Sequence, residues 1–400
     1  QGGGMGGTGK WVIGLIVVIL VVWGIAASQK NKNQDKMAGT APKTEDQNKM
    51  VAGDTYKIGA ILPLTGDAAA YGEPGRNTLT LAAEEINGAN GIDGKKLELI
   101  FEDGKCNGKD AASAMQKLVN VDKVQVVIGG FCSGESLAAE PIATQNKIAL
   151  LSPGSSSPKL TGISPFFFRN YPSDSFQGQT LAEIAKKKNW NKVAFIQEQT
   201  DYALGIYNAF NDKFVSLGGT VVREEFATDS VDFKTQLTKL RAAKPDVLFI
   251  DTQTPAATVR KLKQHKDLGW KVQLMVADII PGNPKTVSEN KDLLEGAIGA
   301  EFSTNINNAK FANLLVAYKA KYGVEMPFQS YGSTEYDSVY IIKDAIAAVG
   351  YNGQKIADWS RTIKDWLGAA GSITIQQNGD PLSGHRPEII KDGKVLPYTE

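Results

Sequence analysis

The segment SPGSSSP at 152–158 sets three serines between two prolines, directly after the aliphatic run IALL. Ser, Gly and Pro build turns, but hydroxyls at the end of a strand also form a receptor for a carboxylate. Similar chemistry recurs where other apolar runs end. GGFCSGES at 129–136 carries Ser133, and TGDAAAYG at 65–72 carries Tyr71. QTDYALG at 199–205 carries Tyr202, DTQTP at 251–255 carries Gln253 and Thr254, and ADIIPG at 277–282 carries Asp278. In an open parallel sheet such loops lead into helix N-termini on one rim, where ligands bind. Hydroxyls and helix N-termini receive a carboxylate, and Asp278 offers a partner for an ammonium, so the set suits a small zwitterion better than a phosphate. Alone, Asp278 reads equally as a helix N-cap or turn residue, and Tyr71 and Tyr202 as half-buried rim residues. Their joint appearance on the rim points to a site.

Other chemistries find little support. His265 lies in a Lys-rich helical stretch and His385 near the C-terminus; neither has metal-ligand spacing to other donors, and both are expected on the solvated surface. Neither a G-x-S-x-G elbow nor a dinucleotide fingerprint follows a strand, and the serines at 155–157 have no evident His and Asp partners, so no enzyme activity, cofactor or metal is expected. GMGGTGKW has the spacing of a phosphate loop but Trp11 in place of the metal-binding hydroxyl. Lys plus Arg (44) balances Asp plus Glu (43), which leaves no footprint for nucleic acid. Cys106 and Cys132 follow consecutive strands on one rim. A disulfide worth about 3 kcal/mol is the favoured reading in an exported chain, with a Cys nucleophile as the rival.

These loops need elements to hold them. Ten aliphatic runs read as strands: 57–64, 96–103, 124–130, 148–152, 165–170, 192–198, 220–226, 246–251, 271–278 and 297–303. Amphipathic helices alternate with most of them, such as 75–87, and three more follow at about 307–322, 328–349 and 355–368. The pattern predicts an α/β fold of two Rossmann-like lobes with parallel sheets. The chain crosses between lobes near 171–174, 302–306 and 369–374, giving a first lobe of 54–171 plus 304–371 and a second of 172–303 plus 372–400. Ahead of them, the uncharged stretch within 1–27 reads as a membrane anchor or a signal segment, and 28–53 as a disordered polar linker. An extracytoplasmic location follows from either reading of the N-terminus.

From about residue 56 to 400 the chain resembles the periplasmic binding proteins of branched-chain amino acid ABC transporters, the leucine/isoleucine/valine-binding type. The likeness rests on IGAILPLTGDAAAYG, VIGGFCSGESLAAEPIA, LLSPGSSSPKLT, YPSDSFQGQTLAEIA and YGSTEYDSVYIIKDAI, met in order. The resemblance implies two lobes joined by a three-stranded hinge that close on an amino acid without catalysis. It implies that Ser133 and Ser156 donate to the ligand carboxylate. The Ser155 backbone, Asp278 and the Tyr202 ring would surround the ammonium, and Tyr71 would pack near the side-chain end. It also matches Cys106 and Cys132 to the family's disulfide. Gln253 and Thr254 stand where leucine-type members place an aromatic pair, and Asp278 where they have Glu. The first departure weakens any claim for a large aliphatic side chain, and the second keeps the charge with a shorter reach; the expected ligand is a branched-chain or other small neutral or polar amino acid. The implied partner is an ABC permease, with a monomer expected; the alternatives are a sensory binding protein, or transport of an amide or urea.

Overall fold

A computed structural model describes residues 55–302, 305 and 307–399. The expectations for 1–27 and 28–53 lie outside the described residues. Among those described, no helix is long and apolar enough to cross a membrane.

The first sheet is wholly parallel, in the order β2 (Lys96–Asp103), β1 (Thr55–Leu62), β3 (Val126–Ile128), β4 (Ala149–Ser152) and β5 (Phe167–Arg169). Residues 58–62 of β1 are buried without alternation, as expected for a central parallel strand covered on both faces. Its helices are α1 (Ala69–Gly88), α2 (Gly108–Asn120) and α3 (Ser133–Gln145). The second sheet is built from β6 (Lys192–Glu198), β7 (Thr220–Phe226), β8 (Val247–Asp251), β9 (Gln273–Val276), β10 (Ile298–Glu301), β13 (Arg386–Lys391) and β14 (Lys394–Pro397). Its order is β14-β13-β10-β9-β8-β6-β7, with β13 and β14 antiparallel. The helices of this lobe are α4 (Asp174–Lys187), α5 (Asp201–Ser216), α6 (Lys234–Ala242), α7 (Pro255–Asp267), α8 (Pro284–Glu289) and α9 (Lys291–Leu294).

Each strand-to-helix turn is fixed by local chemistry. Thr200 and Thr254 cap α5 and α7 by accepting from the N–H groups of Ala203 and Ala257, and Pro255 occupies the first helical turn of α7. Gly178 lets α4 approach α5 closely: a Cβ there would lie 2.7 Å from the Cβ of Ala209. α10 (Ala309–Tyr322) and α11 (Gln329–Val349) return to the first lobe and pack on α1.

Three details depart from the sequence reading. α1 begins at Ala69 instead of 75, with Pro74 accommodated inside the helix. α12 (Gly353–Ser360) stops well before 368, and β11 (Trp366–Leu367) pairs with β12 (Ser372–Ile373). The last crossing comes later than 369–374: the Arg169 N–H of β5 donates to the Gly379 carbonyl at 3.0 Å, and the chain joins the second sheet only at Arg386. Both histidines are buried, contrary to the surface expectation. His265 is 1% exposed and lies 5.6 Å ring to ring from Trp270; His385 is 7% exposed beside Tyr171. Burial pushes both imidazoles down to about 4, so both are neutral at physiological pH.

Arg169, fully buried at the end of β5, joins three segments. Its Nε donates to Asp380 Oδ1 at 2.7 Å, Nη1 to the carbonyls of Ser155 and Ser157 at 3.1 and 3.0 Å, and Nη2 to Thr161 Oγ1. Removing one member of a buried pair leaves a stranded charge. Arg169→Met is therefore expected to cost about 3–5 kcal/mol in urea unfolding. Arg169→Met with Asp380→Leu should cost less than the single change.

Candidate functional site

The site is organised around Asp278, placed just past β9 and fully buried. Its carboxylate accepts from three tyrosine hydroxyls: Tyr202 on Oδ1, and Tyr171 and Tyr331 on Oδ2 at 3.0 and 3.2 Å. Its backbone N–H donates to Gln177 Oε1 at 3.3 Å. Tyr171 lies between β5 and α4, Tyr202 in the first turn of α5, and Tyr331 in the first turn of α11. The sidedness of both lobes therefore converges on one carboxylate. Burial pushes all three phenols well above their ordinary range, helped by the Asp278 charge at Tyr202 and Tyr331 and by the Glu301 charge first at Tyr171, so they remain donors.

Around this lies an aromatic wall. Tyr331 stacks on Tyr171 at 4.9 Å and meets Phe131 edge-on at 5.0 Å; Tyr71 packs against Phe131 at 5.1 Å and Phe328 at 4.7 Å. Tyr71 also donates across the lobes to the Gln253 carbonyl at 3.1 Å.

The N-terminus of α3 is headed by Ser133. The first N–H groups of a helix lack intrahelical acceptors and carry partial positive charge. Ser133 Oγ accepts from the Ser157 N–H at 3.1 Å. Glu135 steadies this turn, accepting from the Cys132 and Cys106 N–H groups at 2.8 Å each. The sulfurs of Cys106 and Cys132 are bonded, with Cα atoms 5.2 Å apart, and Gln253 Nε2 lies 3.3 Å from Cys106 Sγ.

Tyr71, Ser133, Tyr202 and Gln253 line a single cavity with Phe131 and Tyr331. It measures about 20 Å³, so it admits a water or two where a water needs about 10–15 Å³. The lobes are thus closed on each other. Asp278 sits one hydrogen bond behind the cavity, through Tyr202. Two of the expected serines are committed elsewhere. Ser155 Oγ bonds the Gly130 carbonyl and Ser136, its N–H donates to Ser152 Oγ, and its carbonyl accepts from Arg169. Ser156 Oγ donates to Asp174 Oδ2 at 2.6 Å. Tyr171, Tyr331, Phe131 and Asp174 went unassigned in the sequence, although the first two stand at the heads of the YPSDSF and YGSTEY segments.

Residues 55–385 match the periplasmic binding protein family. The chain belongs to that family. This periplasmic binding protein has the two-lobed α/β type I fold, and its family places it outside the cytoplasm. It is 27% identical over 333 residues to a Leu/Ile/Val-binding protein of Rhizobium johnstonii, covering 82% of this chain and 89% of the relative. An amino acid binding protein of Pseudomonas aeruginosa is 32% identical over 214 residues, a match spanning 52% of this chain and only 57% of that relative. Among solved structures, a leucine binding protein of Thermotoga maritima superposes with a TM-score of 0.78 at 29% identity, covering 86% of this chain and 98% of the other. A branched-chain amino acid transporter substrate-binding protein of Streptococcus pneumoniae, in complex with isoleucine, gives 0.76 at 29%, covering 85% and 97%.

Burial raises Glu135 from its ordinary 4.5 to about 8, against the hydrogen bonds from Cys132 and Cys106. Between those values the folded chain keeps a proton that the unfolded chain has released, so stability falls as pH rises through the window. Asp337, raised to about 7, acts in the same direction, and the two histidines act oppositely only between about 4 and 6.5. The calorimetric unfolding midpoint is expected to fall from pH 6.5 to 8. Glu135→Gln, whatever its absolute midpoint, should show a shallower fall; an unchanged slope contradicts the assignment.

Proposed function

We propose that this chain is the extracytoplasmic binding component of an ABC importer and closes its lobes on a small α-amino acid. The observation that carries the reading is the buried Asp278 carboxylate, ringed by Tyr171, Tyr202 and Tyr331 and joined through Tyr202 to the cavity that Ser133 at the head of α3 also lines. A zwitterion satisfies both ends: its ammonium pairs with Asp278 among the tyrosine rings, and its carboxylate meets Ser133 and the N–H groups of the helix. The relatives named above as Leu/Ile/Val-binding, and the neighbour holding isoleucine, support an amino acid as the ligand. Tyr71 and Gln253 bound the side-chain end, where an amide in place of an aromatic pair favours a compact or polar side chain.

Ser155 and Ser156 act through the scaffold in this reading. Ser155 fixes the loop to Gly130, and Ser156 orients Asp174. The Cys106–Cys132 bond would form on export and hold α3's N-terminus against the loop after β2. Residues 11–27 would tether a monomer near its permease.

The amino group must leave water to enter the cleft, and lobe closure removes water from its pairing with Asp278. The two lobes then present a closed surface to the permease, distinct from the open one.

A thermal-shift panel of the twenty amino acids, simple amides and urea on the full chain tests the assignment. An amino acid at a hundredfold excess over its dissociation constant is expected to add about 2.7 kcal/mol, and Asp278→Ala is expected to lose the response. A response to urea or amides alone, or an undiminished response in Asp278→Ala, contradicts it.

A further inference from the structure

Each connection between the lobes delivers a titratable side chain to the neighbourhood of Asp278. Asp174 follows the first, Glu301 precedes the second, and His385 lies in the third. Asp174, Asp278 and His385 each place one ligand atom within 4.8 Å of the others, and all three are buried. His385 Nε2 lies 3.8 Å from Asp174 Oδ1, its side chain is 0% exposed, and neither ring nitrogen has a hydrogen-bond partner. A buried imidazole aimed at two carboxylates, with both nitrogens unsatisfied, is an arrangement that a protein interior disfavours unless something completes it.

We propose that Asp174, Asp278 and His385 bind one divalent first-row transition ion, in a site that shares Asp278 with the ligand ammonium.

The donor set fits. One imidazole nitrogen with two carboxylate oxygens suits zinc, cobalt or manganese and leaves coordination positions open. The charges cancel, since two carboxylates balance a divalent ion and an imidazole that binds a metal does so in its neutral form. Lone pairs remain for it. Asp278 takes three hydrogen bonds, from Tyr202, Tyr171 and Tyr331, out of about four acceptor sites. Asp174 takes two from side chains, from Ser156 and from Gln177 at 3.3 Å. Ligand atoms around a tetrahedral zinc at 2.0–2.2 Å stand roughly 3.4 Å apart, so the 3.8 Å gap closes with a small side-chain shift.

One further carboxylate, Glu301, feels the same field. Glu301 keeps Oε2 without a partner, and Tyr171 stands between Glu301 Oε1 at 3.4 Å and Asp278. Tyr171 has a single proton, so it satisfies only one of them at a time. Asp174, Asp278 and Glu301 thus bring three buried carboxyl groups together, which repel one another when ionised. A bound cation relieves that repulsion, and the interlobe position means that the relief is available only when the three connections bring the residues together. Ion binding stands apart from the amino-acid reading; the sharing of Asp278 rests on it.

The test is calorimetric titration of zinc chloride into the full chain at neutral pH, with His385→Gln and Asp174→Asn alongside, each variant first shown to unfold cooperatively. One zinc per chain is expected, with affinity lowered at least about tenfold by either substitution, and with the amino acid that gives the largest thermal shift weakening zinc binding. A folded parent chain that takes up no zinc overturns the site, as does zinc uptake that both variants retain. Zinc uptake that depends on His385 yet ignores saturating amino acid overturns the shared use of Asp278. The two readings fail separately. An amino-acid shift without zinc uptake leaves the transport reading intact, and zinc uptake without any amino-acid shift leaves only the ion site.

Discussion

A carboxylate taken fully out of water is stable in a folded protein only where hydrogen bonds or charge replace its hydration. At Asp278 that replacement comes from three phenol hydroxyls, and no two of the tyrosines belong to the same element. Tyr202 rides on α5 within the second lobe, Tyr331 begins α11 of the first, and Tyr171 stands in the connection between them. The convergence has a mechanical consequence. In the proposed reading, parting the lobes would withdraw Tyr331 from Asp278 and expose the carboxylate to water and to an arriving ammonium, and closure would re-form the ring around it. Binding and closure draw on the same hydrogen bonds.

The rest of the cleft is arranged to keep that exchange in register. Arg169 clamps the serine loop by its carbonyls and holds the strand-end geometry of β5 against Asp380, across more than two hundred residues of sequence. The loop in turn hands its Ser157 N–H to Ser133, which fixes the head of α3. Gly130 is needed behind that turn, because a Cβ there would lie 2.3 Å from the Cβ of Glu135. In the proposed reading, the end that would receive the ligand carboxylate is thus pinned by hydrogen bonds. The end that would receive the ammonium, where tyrosines from separate segments meet, would assemble on closure.

All ten strands expected from aliphatic runs appear in the two sheets; the central ones leave an uninterrupted apolar signature, while the edge strands β2 and β7 carry charged residues and are only partly buried. The rim rule likewise brought Tyr71, Ser133, Tyr202 and Gln253 to one cavity from loops far apart in the chain. Side-chain direction was not legible. Ser155 and Ser156 lie in the right loop but are spent on Gly130 and Asp174, a choice set by the fold's long-range contacts and not by local spacing. The same holds for His385, which looks like a tail residue in sequence but lies in a lobe connection with a fully buried side chain. Tyr171 is not legible in the sequence because the segment after β5 reads as a lobe crossing and not as a rim loop, and Tyr331 because it lies in a helix's first turn and not in a strand-end loop.

The central claim is that Asp278 recognises a positively charged α-amino group. It is tested most directly by comparing, by titration calorimetry on the parent chain, the best-binding amino acid with the α-hydroxy acid of the same side chain. The hydroxy acid keeps the carboxylate and the side chain but leaves the buried Asp278 without its cation. Loss of one partner from a buried charge pair costs about 2–5 kcal/mol, so the hydroxy acid is expected to bind about 30-fold more weakly or worse. Equal affinity for the two would contradict the account.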